Sequence, residues 1–174
     1  MGFWARDAIL NLAGRGIIKG KTATSFMPND IITRAEFTAL MIRAFQLETA
    51  PVGSFADVKI GKWYYNEVMI AENLGIVNGD MENRFYPDRM ITREEMAVII
   101  VKTLNVAGKP LNAHGNSVLE KFWDRDLISP YSLSSIASVV GEGVMTGLPG
   151  NALAPKKTLT RAEAAAIIYR VIDR

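Results

Sequence analysis

A Thr-x-x-Glu tetrad recurs three times in one register, and this repetition constrains the fold more than any other feature of the chain. The copies are Thr33-Arg34-Ala35-Glu36, Thr92-Arg93-Glu94-Glu95 and Thr160-Arg161-Ala162-Glu163, spaced 59 and then 68 residues apart. Counting back from each Thr, a Pro stands at five residues (Pro28, Pro87, Pro155) and Phe26, Phe85 or Leu153 at seven. Glycines stand at 13 (Gly20, Gly79, Gly147) and 17 (Gly16, Gly75, Gly143), and an aromatic ring at 29 (Trp4, Trp63, Tyr131). Self-similarity at a fixed register is the mark of a repeat architecture. The longer second spacing is absorbed mainly by residues 108–117, whose Gly, Pro, Asn and Ser content is that of an insertion-tolerant loop. Phe55-Ala56-Asp57 and Phe122-Trp123-Asp124 lead into the second and third copies, while the first begins at Trp4 without this lead-in. The repeats are expected to occupy residues 1–50, 51–110 and 111–174.

Each repeat reads as helix, loop, helix. Ile9, Leu12 and Ala13, then Val68 and Ala71, then Ile136, Val139 and Val140 recur at helical spacing. A Gly followed by an apolar residue (Ile17, Ile76, Val144) closes each first helix, as a left-handed C-terminal cap requires. The second helix opens on the tetrad: Thr caps its N-terminus and Glu reaches back to the cap amide. Behind it run apolar stripes such as Phe37, Leu40, Met41 and Ala44, or Ala164, Ile167, Ile168 and Val171. A helix pair of roughly 45 residues has too little core to stand alone, so three copies must pool their stripes. The expectation is a mainly α fold with Leu40, Ile99 and Ile167 equivalent and directed inward.

Composition excludes several chemistries. Net charge is +2 over 174 residues, without the basic excess of a nucleic-acid binder. The chain has no Cys and one His, His114, which rules out thiolate and multi-histidine metal sites. A Ser-His-Asp arrangement would have to use His114, in the variable loop. Asp80 would open a calcium loop, but its twelfth position is Ile91 where a Glu is required. The segment from Gly16 to Gly20 lacks the Lys-Ser/Thr of a phosphate loop. Apolar runs such as Met96 to Val101 fall far short of the ~20 residues of a membrane span. Met1-Gly2-Phe3-Trp4 lacks the basic start and apolar stretch of a secretory leader. No cofactor and no catalysis are expected.

The motifs resemble the S-layer homology domain family. The second repeat carries the pattern most fully, from Phe55-Ala56-Asp57-Val58 through Trp63, Gly75-Ile76-Val77-Asn78-Gly79 and Phe85-Tyr86-Pro87 to Ile91-Thr92-Arg93-Glu94-Glu95. The resemblance covers nearly the whole chain. It implies three helix-loop-helix repeats forming a pseudo-three-fold, three-pronged spindle around a central helix bundle. It also implies a non-catalytic module, extracellular and monomeric in isolation, that anchors proteins to the bacterial cell wall. The implied partner is a secondary cell-wall polysaccharide bearing acidic pyruvate ketals, held in grooves between repeats, with neither nucleic acid nor membrane insertion involved. By the same resemblance the ligand-binding positions are Arg34, Arg93 and Arg161, with Trp4, Trp63, Tyr131, Asp57, Asp124, Gly20, Gly79 and Gly147. Tyr131 for Trp, Leu153 for Phe, Glu94 for Ala and the missing first lead-in depart from the pattern. A protein-interaction or surface-layer lattice module is the alternative.

Physical chemistry bears on the same residues. A cation in the first turn of a helix is disfavoured by about 0.3–1 kcal/mol, so three arginines there suggest an anion held by free amides and a guanidinium fork. The competing role is a salt bridge to a neighbouring repeat. Trp4 and Trp63 precede an apolar helix face, which suits core packing and equally a sugar-stacking wall. Asp57 and Asp124 suit sugar hydroxyls or a turn, and the Gly pairs are turn formers first. Glu94 beside Arg93 is expected to offset anion attraction by under about 1 kcal/mol. That ranks Arg34 first, Arg93 next and Arg161, in the most eroded copy, last.

Overall fold

The computed structural model describes residues 4–22 and 25–173; the reading of Met1 to Phe3 as lacking a leader lies outside them. It is mainly helical, with six α-helices and no strand among the described residues. No helix there is long and apolar enough to cross a membrane.

The local signals act as the sequence reading expects. The first helices are α1 (Arg6–Gly14), α3 (Tyr65–Asn73) and α5 (Leu133–Gly141), and the second helices α2 (Arg34–Ala44), α4 (Arg93–Val106) and α6 (Arg161–Ile172). Gly16, Gly75 and Gly143 follow the first helices at φ +71°, +70° and +69°, where an L side chain would be strained. At α1 the Ile17 amide then donates to Leu12 O (2.9 Å) and the Gly16 amide to Ala13 O (2.9 Å), with the same pair repeated at Ile76 and Gly75. These are the paired bonds of a Schellman cap. Thr33, Thr92 and Thr160 each accept from the amide three residues on while the Glu there accepts from the cap amide, so all three capping boxes are formed.

The connection between the helices carries strain. Met27, Tyr86 and Ala154, each just before a Pro, have φ of +54°, +59° and +52°, which costs a non-Gly residue about 1–2 kcal/mol. In the second and third repeats the lead-in acid holds this turn. Asp57 accepts from the amides of Phe85 (2.8 Å) and Tyr86 (2.7 Å), and Asp124 from those of Leu153 (2.8 Å) and Ala154 (2.7 Å).

Helix partners come from different repeats. The main packing pairs join neighbouring repeats: α3 packs on α2, α5 on α4, and α1 on α6. Backbone bonds repeat the exchange. The Arg34 and Ala35 amides donate to Arg89 O (2.8 Å) and Pro87 O (3.0 Å), those of Arg93 and Glu94 to Lys157 O and Pro155 O (both 3.0 Å), and those of Arg161 and Ala162 to Asp30 O (2.8 Å) and Pro28 O (3.0 Å). Repeat one therefore leans on two, two on three, and three on one. The long connection carries each second helix away from its own first helix, leaving the apolar face to be covered by the neighbour.

The core is centred on Phe37, Met41, Met96, Ile100 and Ile168, all fully buried. Ile99 and Ile167 are buried in this core, as expected of inward residues, whereas their counterpart Leu40 is not. Leu40 is only half-buried, and all three lie against surface grooves, one in each. Seven residues after the cap, each stands where the packed stripe meets a groove floor, with Leu40 nearest the surface.

Candidate functional site: three grooves between repeats

Three grooves lie where the repeats meet, and each takes residues from all three. The first, about 580 Å³, is lined by Arg34 from repeat one, Gly79, Glu95 and Lys102 from repeat two, and Tyr131 from repeat three. The second, about 540 Å³, has Arg161 from repeat three, Gly20, Glu36 and Arg43 from repeat one, and Trp63 from repeat two. The third, about 180 Å³, has Arg93 from repeat two, Thr146, Glu163 and Arg170 from repeat three, and Trp4 from repeat one. Each groove thus holds a tetrad arginine, the next repeat's turn, box glutamate and helix cation, and an aromatic ring from the remaining repeat.

The tetrad arginines bridge repeats through fixed contacts. Arg34 donates from Nε to Phe85 O (3.1 Å) and from Nη2 to Asn78 O (3.3 Å). Arg93 does the same to Leu153 O (2.8 Å) and Thr146 O (2.7 Å), and Arg161 to Phe26 O and Lys19 O (both 3.0 Å). Arg34 and Arg161 also lie over the Phe85 and Phe26 rings, 4.8 and 4.6 Å from the centroids; Leu153 offers Arg93 no such face. Burial pulls the Arg34 and Arg93 guanidinium groups below their ordinary pKa, opposed by Glu95 at Arg34 and by Glu163 at Arg93.

The third nitrogen, Nη1, differs among them. In Arg161 it donates to Glu36 Oε1 at 3.1 Å. In Arg34 the nearest Glu95 oxygen is 3.8 Å away, and Arg93 has no acid within salt-bridge reach among the described residues.

One physical expectation needs correction here. The first-turn amides are not free to hold an anion: the first two donate to the neighbouring hook and the third to the capping Thr. Any anion recognition in these grooves therefore falls to side chains. The arginine's unfavourable place near a helix start is offset by two charge-assisted carbonyl bonds across the repeat junction.

The aromatics are not core residues. Trp4, Trp63 and Tyr131 are 64%, 57% and 59% exposed, so packing between helix and hook does not describe them. Arg43 lies 5.6 Å from the centroid of the Trp63 ring. Asp57 and Asp124 lie outside the grooves with both carboxylate oxygens committed to the hook amides. Gly20 and Gly79 line grooves, whereas Gly147 faces a separate cavity between two groove residues. A side chain at Gly147 would meet the Phe122 ring at 2.4 Å, so that turn requires Gly for packing.

Glu94 also departs from expectation. Its carboxylate accepts from the Ser129 amide (3.0 Å), the Tyr131 hydroxyl (3.2 Å), Ser132 Oγ (3.3 Å) and Lys156 Nζ (2.6 Å). Lys156 balances the Glu94 charge, and the bond that Glu94 accepts from Tyr131 ties its carboxylate to the ring of the first groove rather than to Arg93 of the third. Burial raises the Tyr131 pKa, with Glu94 and Glu95 adding to it, so the phenol stays protonated and donates.

Residues the sequence reading passed over complete each groove. Arg43, Lys102 and Arg170 all stand ten residues after the capping Thr and place a second cation beside the first. Lys102 donates to Gly75 O (3.2 Å) and Arg170 to Val144 O (3.3 Å). Their common register was a signal in the sequence.

The fold and the shared grooves define a tandem-repeat module built from one helical motif used three times. The chain belongs to the S-layer homology domain family, whose model matches residues 2–38, 54–97 and 121–165. Over 98% of its length it is similar to an amylopullulanase of Thermoanaerobacterium thermosulfurigenes (39% identity) and to exoglucanase XynX of Acetivibrio thermocellus (40%). It is also 30% identical, again over 98% of its length, to the surface-layer 125 kDa protein of Lysinibacillus sphaericus. The chain spans only 9%, 16% and 14% of those three relatives, so it corresponds to one part of each.

Proposed function

We propose that the chain is a non-catalytic anchoring module of the bacterial cell surface that binds an acidic wall polysaccharide, its sugars carrying pyruvate ketals, in the inter-repeat grooves. The observation that carries the reading is the pairing, in each groove, of a bridging arginine and a second cation with an exposed aromatic ring from the third repeat. An exposed ring offers a face for a sugar, and a guanidinium matches a carboxylate. The same family part occurs in relatives named as enzymes and as surface-layer proteins, as suits a portable anchor. Its three-pronged disposition about a pseudo-three-fold axis, with units at 1–50, 51–110 and 111–174, belongs to this reading and is supported by the ring of contacts from repeat one to two to three. One chain supplies every groove, which suits a monomer.

Calorimetric titration with matched hexopyranosides, differing only in a 4,6-pyruvate ketal, tests the proposal. The ketal sugar should bind and the plain sugar should not, with affinity falling as salt rises through the range where the Debye length shrinks below about 10 Å. Equal affinity for both sugars refutes the role of the arginines. A lattice module is the second reading, favoured by relatives named S-layer proteins; binding to a surface-layer protein but not to purified wall polysaccharide would select it.

A further inference from the structure

We infer that the residue three positions before each capping Thr decides whether the arginine of its groove is available to an anion. The inference rests on the anion reading proposed above. This position holds Asp30, Arg89 and Lys157 in the three repeats. In the first groove Arg89 pairs with the box glutamate Glu95. Glu95 is thereby satisfied from its own repeat, and the incoming Arg34 stays 3.8 Å away. In the third groove Lys157 takes Glu163 (3.1 Å), and Arg93 makes no ion pair with that acid among the described residues. In the second groove the position is acidic. Asp30 turns to Lys21 (2.7 Å), Glu36 pairs with no base of its own repeat among the described residues, and Arg161 fills the gap at 3.1 Å.

The consequence is a difference in donors. All three nitrogens of Arg161 are committed, to Phe26 O, Lys19 O and Glu36. Arg34 and Arg93 commit Nε and Nη2 to carbonyls, while their Nη1 makes no hydrogen bond to an acceptor among the described residues. A carboxylate entering the first or third groove meets a donor with unused capacity. One entering the second must displace Glu36 and face its charge. A base at position 30 would do for Glu36 what Arg89 does for Glu95.

The experiment labels the protein with 5-fluorotryptophan and titrates it with a methyl hexopyranoside bearing a 4,6-pyruvate ketal. Trp63 reports the second groove and Trp4 the third, while Trp123, which lines none of the three grooves, serves as the control. Asp30→Arg should lower the midpoint at Trp63 by roughly fivefold, and Asp30→Asn, which removes the acid without supplying a base, by less than about twofold. Lys157→Asp should raise the midpoint at Trp4 by roughly fivefold. Both side chains are about half exposed, so the swaps spare the core, and an unchanged Trp123 signal verifies the fold. Midpoints that stay within about twofold of the native chain in both swaps overturn the inference while leaving the anion reading intact. If neither Trp63 nor Trp4 moves in the native chain, the anion reading fails for the second and third grooves and the inference with it.

Discussion

Replacing Asp124 with Ala should cost about 3–4 kcal/mol, more than the same change at Asp57. Asp124 is itself buried, and it accepts two amide bonds, at 2.8 Å from the buried Leu153 and 2.7 Å from Ala154. A hydrogen bond to a charged group is worth about 1.5–3 kcal/mol, and a buried amide left unpaired forfeits the full desolvation cost. The second amide is better able to reach water and adds about 1 kcal/mol. The strained φ of +52° at Ala154 loses its restraint in the same step. Asp57 holds the equivalent amides, but that of Tyr86 is exposed, so water replaces part of the loss and the cost falls to about 2 kcal/mol. Urea unfolding followed by circular dichroism measures both, with an unchanged slope marking a pure stability effect. The reasoning is refuted if Asp124→Ala costs under about 1 kcal/mol, or no more than Asp57→Ala. A conservative Asp57→Asn change that lowers sugar affinity while leaving stability intact would instead place that carboxylate in ligand recognition.

Other outcomes follow from the same contacts. Burial alone would raise Glu94, Glu95 and Glu163, but hydrogen bonds and nearby cations outweigh it and hold all three below the ordinary 4.5. Their contribution to stability is therefore fully present above pH 4.5 and is lost as pH falls through their depressed native values; thermal melts between neutral and acid pH should show the decline beginning there, and a flat profile would contradict it. Ile100→Ala, in the centre of the core, should cost about 3–4 kcal/mol, whereas Leu40→Ala on a groove floor should cost about 1–2, as read by urea midpoints. Equal costs would put Leu40 back in the core.

The legible features were those set by near neighbours along the chain. Thr33, Thr92 and Thr160 cap their helices because the glutamate three residues on is always within reach. Gly16, Gly75 and Gly143 end theirs because a left-handed residue must stand there. The exposed ring of Trp63 was not decidable from its apolar surroundings, since those residues face a helix from another repeat. The direction of Glu94 was hidden for the same reason: Ser129, Tyr131 and Lys156 reach it only across a repeat junction. The arginines were legible as unusual, but the carbonyls that receive them lie at sequence separations of 44 to 142 residues. Register marked the arginines and aromatic rings that line the grooves; only packing assigned each to one of them.

The packing of α1 on α6 has a consequence for how the chain must come together. An ordinary stacked array can gain or lose a repeat at its end, because each unit contacts only its neighbours. Here the opening helix finds its mate in the closing one, and Arg15 pairs with Asp173 across 158 residues of chain. On a ribosome, the first helix must wait with an uncovered apolar face until the last has emerged. Contacts of such high sequence separation slow folding. Removing the third repeat would not leave a shorter working module: it would open α1 and α4 together, and with them the walls of every groove.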